Sequence, residues 1–184
     1  VATRENVGSL PSSLTEVTRS GTNEDIHAFL AKPVLLASGV LNTQVAGDTL
    51  QRINTPEDLI TTDVFSRKVK GFFGFKATTV FKLQVNANKF QQGRLIMVFI
   101  PQSGIPDTYP GMRMRSLMAM TQLPRIELDI SCDTEVIMEV PYVSPSPFYN
   151  LATEDNPIGS LFVAVYSELR SGAGGADHVD YTIW

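Results

Sequence analysis

Cysteine is nearly missing from this chain: Cys132 is the only one in 184 residues, so no intrachain disulfide can staple the fold. A reduced compartment fits that count, and the lack of any Asn-x-Ser/Thr acceptor agrees with a life outside the secretory path. Charge is scarce as well. Asp, Glu, Lys and Arg make up 18% of the chain, whereas apolar residues make up 43%. Ordinary globular domains carry about 25% charge, so the shortage implies that much of this surface meets other protein. Positive charge is not in excess, with a net charge of −4 and a pI near 5.1. A dedicated nucleic-acid binder is usually basic, with Lys and Arg clustered on one face, and the sequence does not read that way. Long apolar runs are absent too. None approaches the roughly 20 residues that span a bilayer, and no charged-then-apolar leader opens the chain, so no stable membrane insertion is expected.

What is present is enough for one domain. A chain of this length buries roughly 70% of its unfolded surface, so folding requires neither metal nor disulfide. The ends carry an expectation of their own. A start at Val1 fits release from a longer precursor, and the closing HVDYTIW stops inside a strand pattern, which implies an incomplete last strand.

Residues 1–21 mix Ser, Thr, Gly and Pro without a period and read as an arm. Thr22 can cap a short helix with Asp25 three residues on, and Ile26, Phe29 and Leu30 then share one face until Pro33 stops it. The chain so divides into an arm with a short helix over 1–32 and a β domain over 33–184. VLLASGVL reads as a strand kinked at Gly39. Residues 42–63 read as a long polar connection, and VFSRKVKGFFGF as a short strand and a turn around Gly71 and Gly74. In VFKLQVN, Phe81, Leu83 and Val85 alternate with Lys82, Gln84 and Asn86, the period of a half-buried strand. LIMVFI is apolar throughout, which fits a strand covered on both faces. MRMRSLMAMTQ spaces Met114, Leu117, Met118 and Thr121 as a helix. Ile126, Leu128 and Ile130, then Val136, Met138 and Val140, alternate with polar neighbours. LFVAVYSEL is a second strand apolar on both faces, SGAGGA a flexible turn, and HVDYTIW the last strand. About eight strands with long loops and no strand-helix rhythm exclude a parallel α/β sheet. The fold class predicted is an all-β, eight-stranded antiparallel jelly-roll sandwich with short helices and long loops.

Chemistry finds little support. A cupin-type metal site wants several converging His and a carboxylate, but only His27 and His178 exist, far apart in sequence. Cys132 lacks a nucleophile signature and reads as core packing. The pairs Glu24/Asp25, Glu57/Asp58 and Glu154/Asp155 sit at a helix start or in loops, the first suiting a helix dipole. No Gly-x-Ser-x-Gly elbow occurs, and the glycines of SGAGGA precede no helix that would hold a phosphate. The two arginines of MRMR read as snorkelling from a partly buried helix. No catalytic, cofactor-binding or metal residue is assigned, no cofactor is expected, and the chain is read as a non-enzyme.

The stretch VNANKFQQGRLIMVFIP resembles the strand-turn-strand signature of jelly-roll capsid proteins of picornavirus-like viruses, through Asn86, Asn88, Phe90, Gln92, Gly93 and Pro101. TQLPRIELDISCDTEVIMEVPYVSPSPFYN resembles a second stretch, with its strand-end motif at Val140, Pro141 and Tyr142, and LFVAVYSEL a third. DIHAFLAKPVLLASG and GFFGFKATTVFKLQVNANKFQQGR are most similar to the dicistroviruses of arthropods, and specifically to the major subunit around the three-fold axes. The resemblance implies a structural subunit of a small icosahedral shell around single-stranded RNA. That subunit would be cut from a polyprotein, assembled in the host cytoplasm and found in the virion. Its partners would be other capsid chains, with weak contact to genomic RNA; no receptor is assigned. The Asp-Asp-Phe motif that serves maturation cleavage in some relatives is missing, so no cleavage role is assigned. In this frame the polar hinge is a corner between two sheets. Gly93 permits the bend, Asn86 and Asn88 bond local backbone, and Phe90 is a plug, buried under the corner or held at a neighbour contact. Two rival readings remain: a carbohydrate-binding jelly roll with Tyr142, Phe148 and Tyr149 as an exposed platform, and a cupin-like enzyme using His27 or His178.

Overall fold

The computed structural model describes residues 26–42, 44–102, 116–152, 158–172 and 177–184. The chain divides into two units, Val1–Pro33 and Val34–Trp184. In the first, helix α1 (Ile26–Leu30) exposes His27 and Ala28 and half-buries Ile26, Phe29 and Leu30, with the Lys32 ammonium 5.4 Å from the Phe29 ring centre. The predicted cap at Thr22 lies outside the described residues.

The second unit is a sandwich of two four-stranded sheets. One has the order β1 (Ala37–Leu41), β10 (Val179–Ile183), β4 (Thr79–Asn86), β7 (Glu135–Val140). The other has the order β2 (Thr49–Thr55), β9 (Gly159–Ser171), β5 (Gln91–Pro101), β6 (Arg125–Asp129). All pairings are antiparallel. A two-stranded ribbon joins β3 (Gly74–Phe75) to β8 (Tyr149–Asn150). Along the chain, every link between successive strands of the two large sheets crosses from one sheet to the other, except β5 to β6. That is the jelly-roll connectivity, and each crossing needs a corner rather than a tight hairpin.

The alternating strands bury the face the sequence predicts. Phe81, Leu83 and Val85 of β4, Leu128 of β6, and Met138 and Val140 of β7 point between the sheets, where they meet Leu41, Ile53, Val179, Tyr181 and Ile183. The continuously apolar strands serve two cores at once. Leu95, Met97 and Phe99 of β5 and Leu161, Val163 and Val165 of β9 face the sandwich interior. Ile96, Val98, Ile100, Phe162 and Ala164 face outward, onto Met120. Met120 belongs to helix α4 (Leu117–Thr121), whose first turn is capped by Ser116, its hydroxyl accepting from the Ala119 N–H at 3.2 Å. So one sheet is covered on both faces, which is why its central strands lack polar alternation.

Four expectations are corrected. The polar stretch 42–63 is not simply a connection: it contains β2 and the short helix α2 (Glu57–Ile60). VFSRKVKGFFGF holds the expected short strand, β3, and a turn at Gly71, but VFSRKV forms the body of helix α3 (Asp63–Val69), because Phe65 and Val69, four residues apart, are its buried side chains. The eight strands of the two sheets therefore match the predicted number with one strand exchanged. Gly39 does not kink its strand; it makes room, since a Cβ there would lie 2.4 Å from the Tyr181 hydroxyl oxygen. In α4 the inward methionine is Met120, whereas Met118 is 74% exposed; Met114 and the two arginines of MRMR fall outside the described residues.

Candidate functional site

The corner between β4 and β5 is built from short-range hydrogen bonds. Asn86 ends β4 and is exposed, paired in register with Asp180. Asn88 starts the turn: its Oδ1 accepts from the Phe90 N–H at 2.9 Å, and its carbonyl accepts from the Gln91 N–H at 3.1 Å. This side-chain mimicry of a backbone turn is what asparagine does well. The Phe90 carbonyl accepts from the Gly172 N–H at 2.8 Å, tying the corner to the end of β9. Phe90 itself is 62% exposed, so its ring does not sit under the corner.

The plug is the next residue. Gln91 is 2% exposed. Its Oε1 accepts from the Asn88 N–H at 2.9 Å, and its Nε2 donates to the His178 carbonyl at 2.8 Å. One buried amide thus joins both sides of the corner to the strand that follows β9. Sequence reasoning passed over it because a glutamine in a polar turn carries no apolar signal. Gln92 is exposed, opposite Arg170. Gly93 stands where the β5–β9 register shifts, and a Cβ there would lie 3.3 Å from the Glu168 carbonyl oxygen. Its lack of a side chain admits the bulged β9 backbone, a close approach rather than a special backbone angle.

The strand-end motif closes β7. Val140 is in the core, Pro141 is exposed, and Tyr142 is half-buried against the core. The Tyr142 hydroxyl donates to the Ser146 carbonyl at 3.1 Å, and the Lys76 ammonium lies 5.8 Å from its ring centre. The motif therefore anchors the loop toward β8. Tyr149 is buried, and the Phe148 ring meets Phe73 edge-on at 5.6 Å. Tyr142, Phe148 and Tyr149 thus make no exposed platform for a sugar.

His27 lies on α1 and His178 precedes β10, each exposed. Among the described residues no group of three His, Cys, Asp or Glu is placed to hold a metal. Cys132 is exposed in the β6–β7 turn, not packed in a core, with its sulfur 3.5 Å from the Ser131 hydroxyl. Asp58 is not simply solvated: its Oδ2 accepts from the Asn54 N–H at 2.6 Å. Glu24/Asp25 and Glu154/Asp155 lie outside the described residues. Among the described residues no helix is long and apolar enough to cross a membrane.

Comparison with known proteins gives these features a context. A family model described as picornavirus capsid protein matches residues 42–170. The structural polyprotein of cricket paralysis virus is 36% identical over 172 residues, covering 93% of this chain and 19% of the polyprotein. That of acute bee paralysis virus is 24% identical over 147 residues, covering 79% of this chain and 16% of the polyprotein. The chain so spans about a fifth or less of these curated relatives. Among solved structures, a chain of the Triatoma virus empty capsid is 32% identical with a TM-score of 0.81, over 88% of this chain and 89% of that one. A chain of black queen cell virus is 26% identical with a TM-score of 0.80, over 88% and 69%.

Proposed function

Because the chain belongs to the picornavirus capsid protein family, we propose that it acts as a structural subunit of a small icosahedral shell around single-stranded RNA. The observation that carries this reading is the superposition of the chain on a Triatoma virus capsid subunit. Its work is packing. The partners are other jelly-roll chains of the shell, the place is the virion, and assembly occurs in the host cytoplasm. Obligate interfaces of this kind often exceed about 2,000 Å², which agrees with a chain only 18% charged. Residues 1–21 act as an arm on neighbouring subunits, and the corner at Asn86, Asn88, Phe90, Gln92 and Gly93 presents Phe90 to a neighbour. We assign no catalysis to the chain. The carbohydrate-binding reading loses support, since Tyr149 is buried and the Tyr142 hydroxyl is engaged within its own loop.

Sedimentation of the chain made together with its companion structural chains tests the proposal. The expected result is a particle of millions of daltons that contains RNA. A 20.2 kDa species that stays monomeric beside its companions overturns it.

A further inference from the structure

The modest net charge conceals a strong segregation. From Val64 to Pro106 the sequence has seven basic residues and no Asp or Glu, which leaves eight basic residues against nineteen acidic ones elsewhere. Two of the seven are matched across strands: Lys82 by Glu135 at 2.6 Å and Arg94 by Asp129 at 3.2 Å. Arg67, Lys68, Lys70 and Lys76 fall within ten residues and are all exposed, Lys76 with its ammonium 5.8 Å from the Tyr142 ring centre.

The same ten residues hold two exposed aromatic rings. Phe72 is 54% and Phe73 66% exposed. Both stand on a knuckle fixed at each end. On one side Phe65 and Val69 bury the inner face of α3. On the other, β3 pairs with β8, and the Leu151 N–H donates to the Phe73 carbonyl at 3.1 Å. Between them Gly71 takes φ +98°, a left-handed angle that favours glycine, and the Phe72 N–H donates to the Val69 carbonyl at 3.1 Å. Phe148 supports Phe73 from beneath, and a Cβ on Gly74 would lie 2.5 Å from the Phe148 ring. The rings are thus held out between two anchored ends.

Placement at the end of a helix accounts for part of this. Arg67 and Lys68 occupy the last turn of α3, where cations complement the helix dipole. It does not account for Lys70, which follows the helix, or for two phenylalanines facing solvent. A protein partner would have to bury Lys70 and Lys76 along with the rings, and lysine is depleted at protein interfaces. Single-stranded nucleic acid carries groups complementary to both sets: phosphates for the exposed cations and base π-faces for the exposed rings.

We propose that the knuckle over residues 67–76 is a binding site for single-stranded RNA, with phosphates on Arg67, Lys70 and Lys76 and bases stacked on Phe72 and Phe73. This rests on the reading of the chain as a subunit of an RNA-enclosing shell and adds the place of contact. The acidic balance of the rest of the chain confines the contact to this site and makes it weak and salt-sensitive.

The test is fluorescence anisotropy of the full chain with a labelled oligouridylate, from about 20 mM to about 200 mM KCl. Three phosphate contacts predict a slope of log K against log salt of about −2. The double substitution Phe72→Ser, Phe73→Ser is expected to weaken binding by about tenfold or more and keep the slope. Lys70→Gln is expected to reduce the slope by about 0.7. Because all these side chains are exposed, the melting temperature should hold; if the double variant fails to fold, Arg67→Gln with Lys70→Gln carries the test. Binding absent at the lowest salt, or unchanged in the variants, overturns the proposal. So does a Phe72, Phe73 variant that binds the oligonucleotide normally but no longer sediments with companion chains, which would make the knuckle a subunit contact. Particle assembly is read separately, so the site can fail while the shell reading stands.

Discussion

Two neighbouring residues at one corner divide between them what a single residue was expected to do. Phe90 has the apolar surface and shows it to solvent; Gln91 has the polar amide and buries it. The reversal follows from what the corner lacks. Its backbone cannot continue a ladder, so the Asn88 N–H and the His178 carbonyl need partners, and only a side chain carrying both donor and acceptor serves both. Gln91→Ala should remove both of these part-buried hydrogen bonds, at a cost of about 1–3 kcal/mol. In a chain of this size that lowers the melting temperature by roughly 2–12 °C. Phe90→Ala should leave the melting of the isolated chain nearly unchanged and lower particle yield, as a ring that meets a neighbour requires. Scanning calorimetry and particle yield of the two variants separate the roles. A larger melting loss for Phe90→Ala than for Gln91→Ala contradicts this division.

At the scale of elements, the β6–β7 turn shows how a polar sequence holds two sheets together. Asp129 closes it: its Oδ1 accepts from the Ser131 hydroxyl at 2.6 Å and the Ser131 N–H at 3.1 Å, and its Oδ2 accepts from Arg94 at 3.2 Å. These bonds, the Ser131 hydroxyl first, hold the Asp129 carboxyl below its ordinary value of 3.8. On β7, bonds from Lys82 and then Gln84 hold Glu135 below 4.5. A carboxyl whose folded value is depressed stabilises the fold fully above its unfolded value, and that contribution is lost as pH falls through the folded one. The turn and the β4–β7 edge should therefore weaken in acid, below about pH 4. Ser131→Ala should move the Asp129 midpoint upward in a carboxyl-detected NMR titration; an unmoved midpoint rejects Ser131 as the main cause. Elements of this kind were unevenly legible. β4, β6 and β7 announce themselves because one face is buried and the other wet, which writes a two-residue period. β2 has no such period: in TLQRINT only Ile53 and Thr55 are buried. α3 was misread because its signal is two apolar residues four apart among β-branched and aromatic neighbours, a composition that also suits strands. The corner's position was legible from Asn88 and Gly93, but its plug was not, since burial of a glutamine depends on backbone groups brought together from residues 88 and 178.

At the scale of the whole molecule, the sandwich is asymmetric. The β2-β9-β5-β6 sheet has apolar packing on both faces of its central strands, whereas the outer face of β1-β10-β4-β7 carries exposed Val40, Val80 and Ile137 among charged residues. Stability should follow that asymmetry, because local opening is cheapest where few buried contacts are broken. Amides of β5 and β9 are central in their sheet and covered on both sides, so they should open only with global unfolding. Amides on the outer edges of β1 and β7, which pair with no further strand among the described residues, should exchange first. Native-state hydrogen exchange of the full chain checks this ranking. The expected order is β5 and β9 slowest, β4 and β10 intermediate, β1 and β7 fastest. If β1 and β7 edge amides were protected as well as β5 in a demonstrably monomeric chain, the edges would be closed from within the chain and would leave no place for another capsid chain to pair. If the same amides slow only when companion chains are added, the missing cover comes from outside, as a chain so poor in surface charge requires.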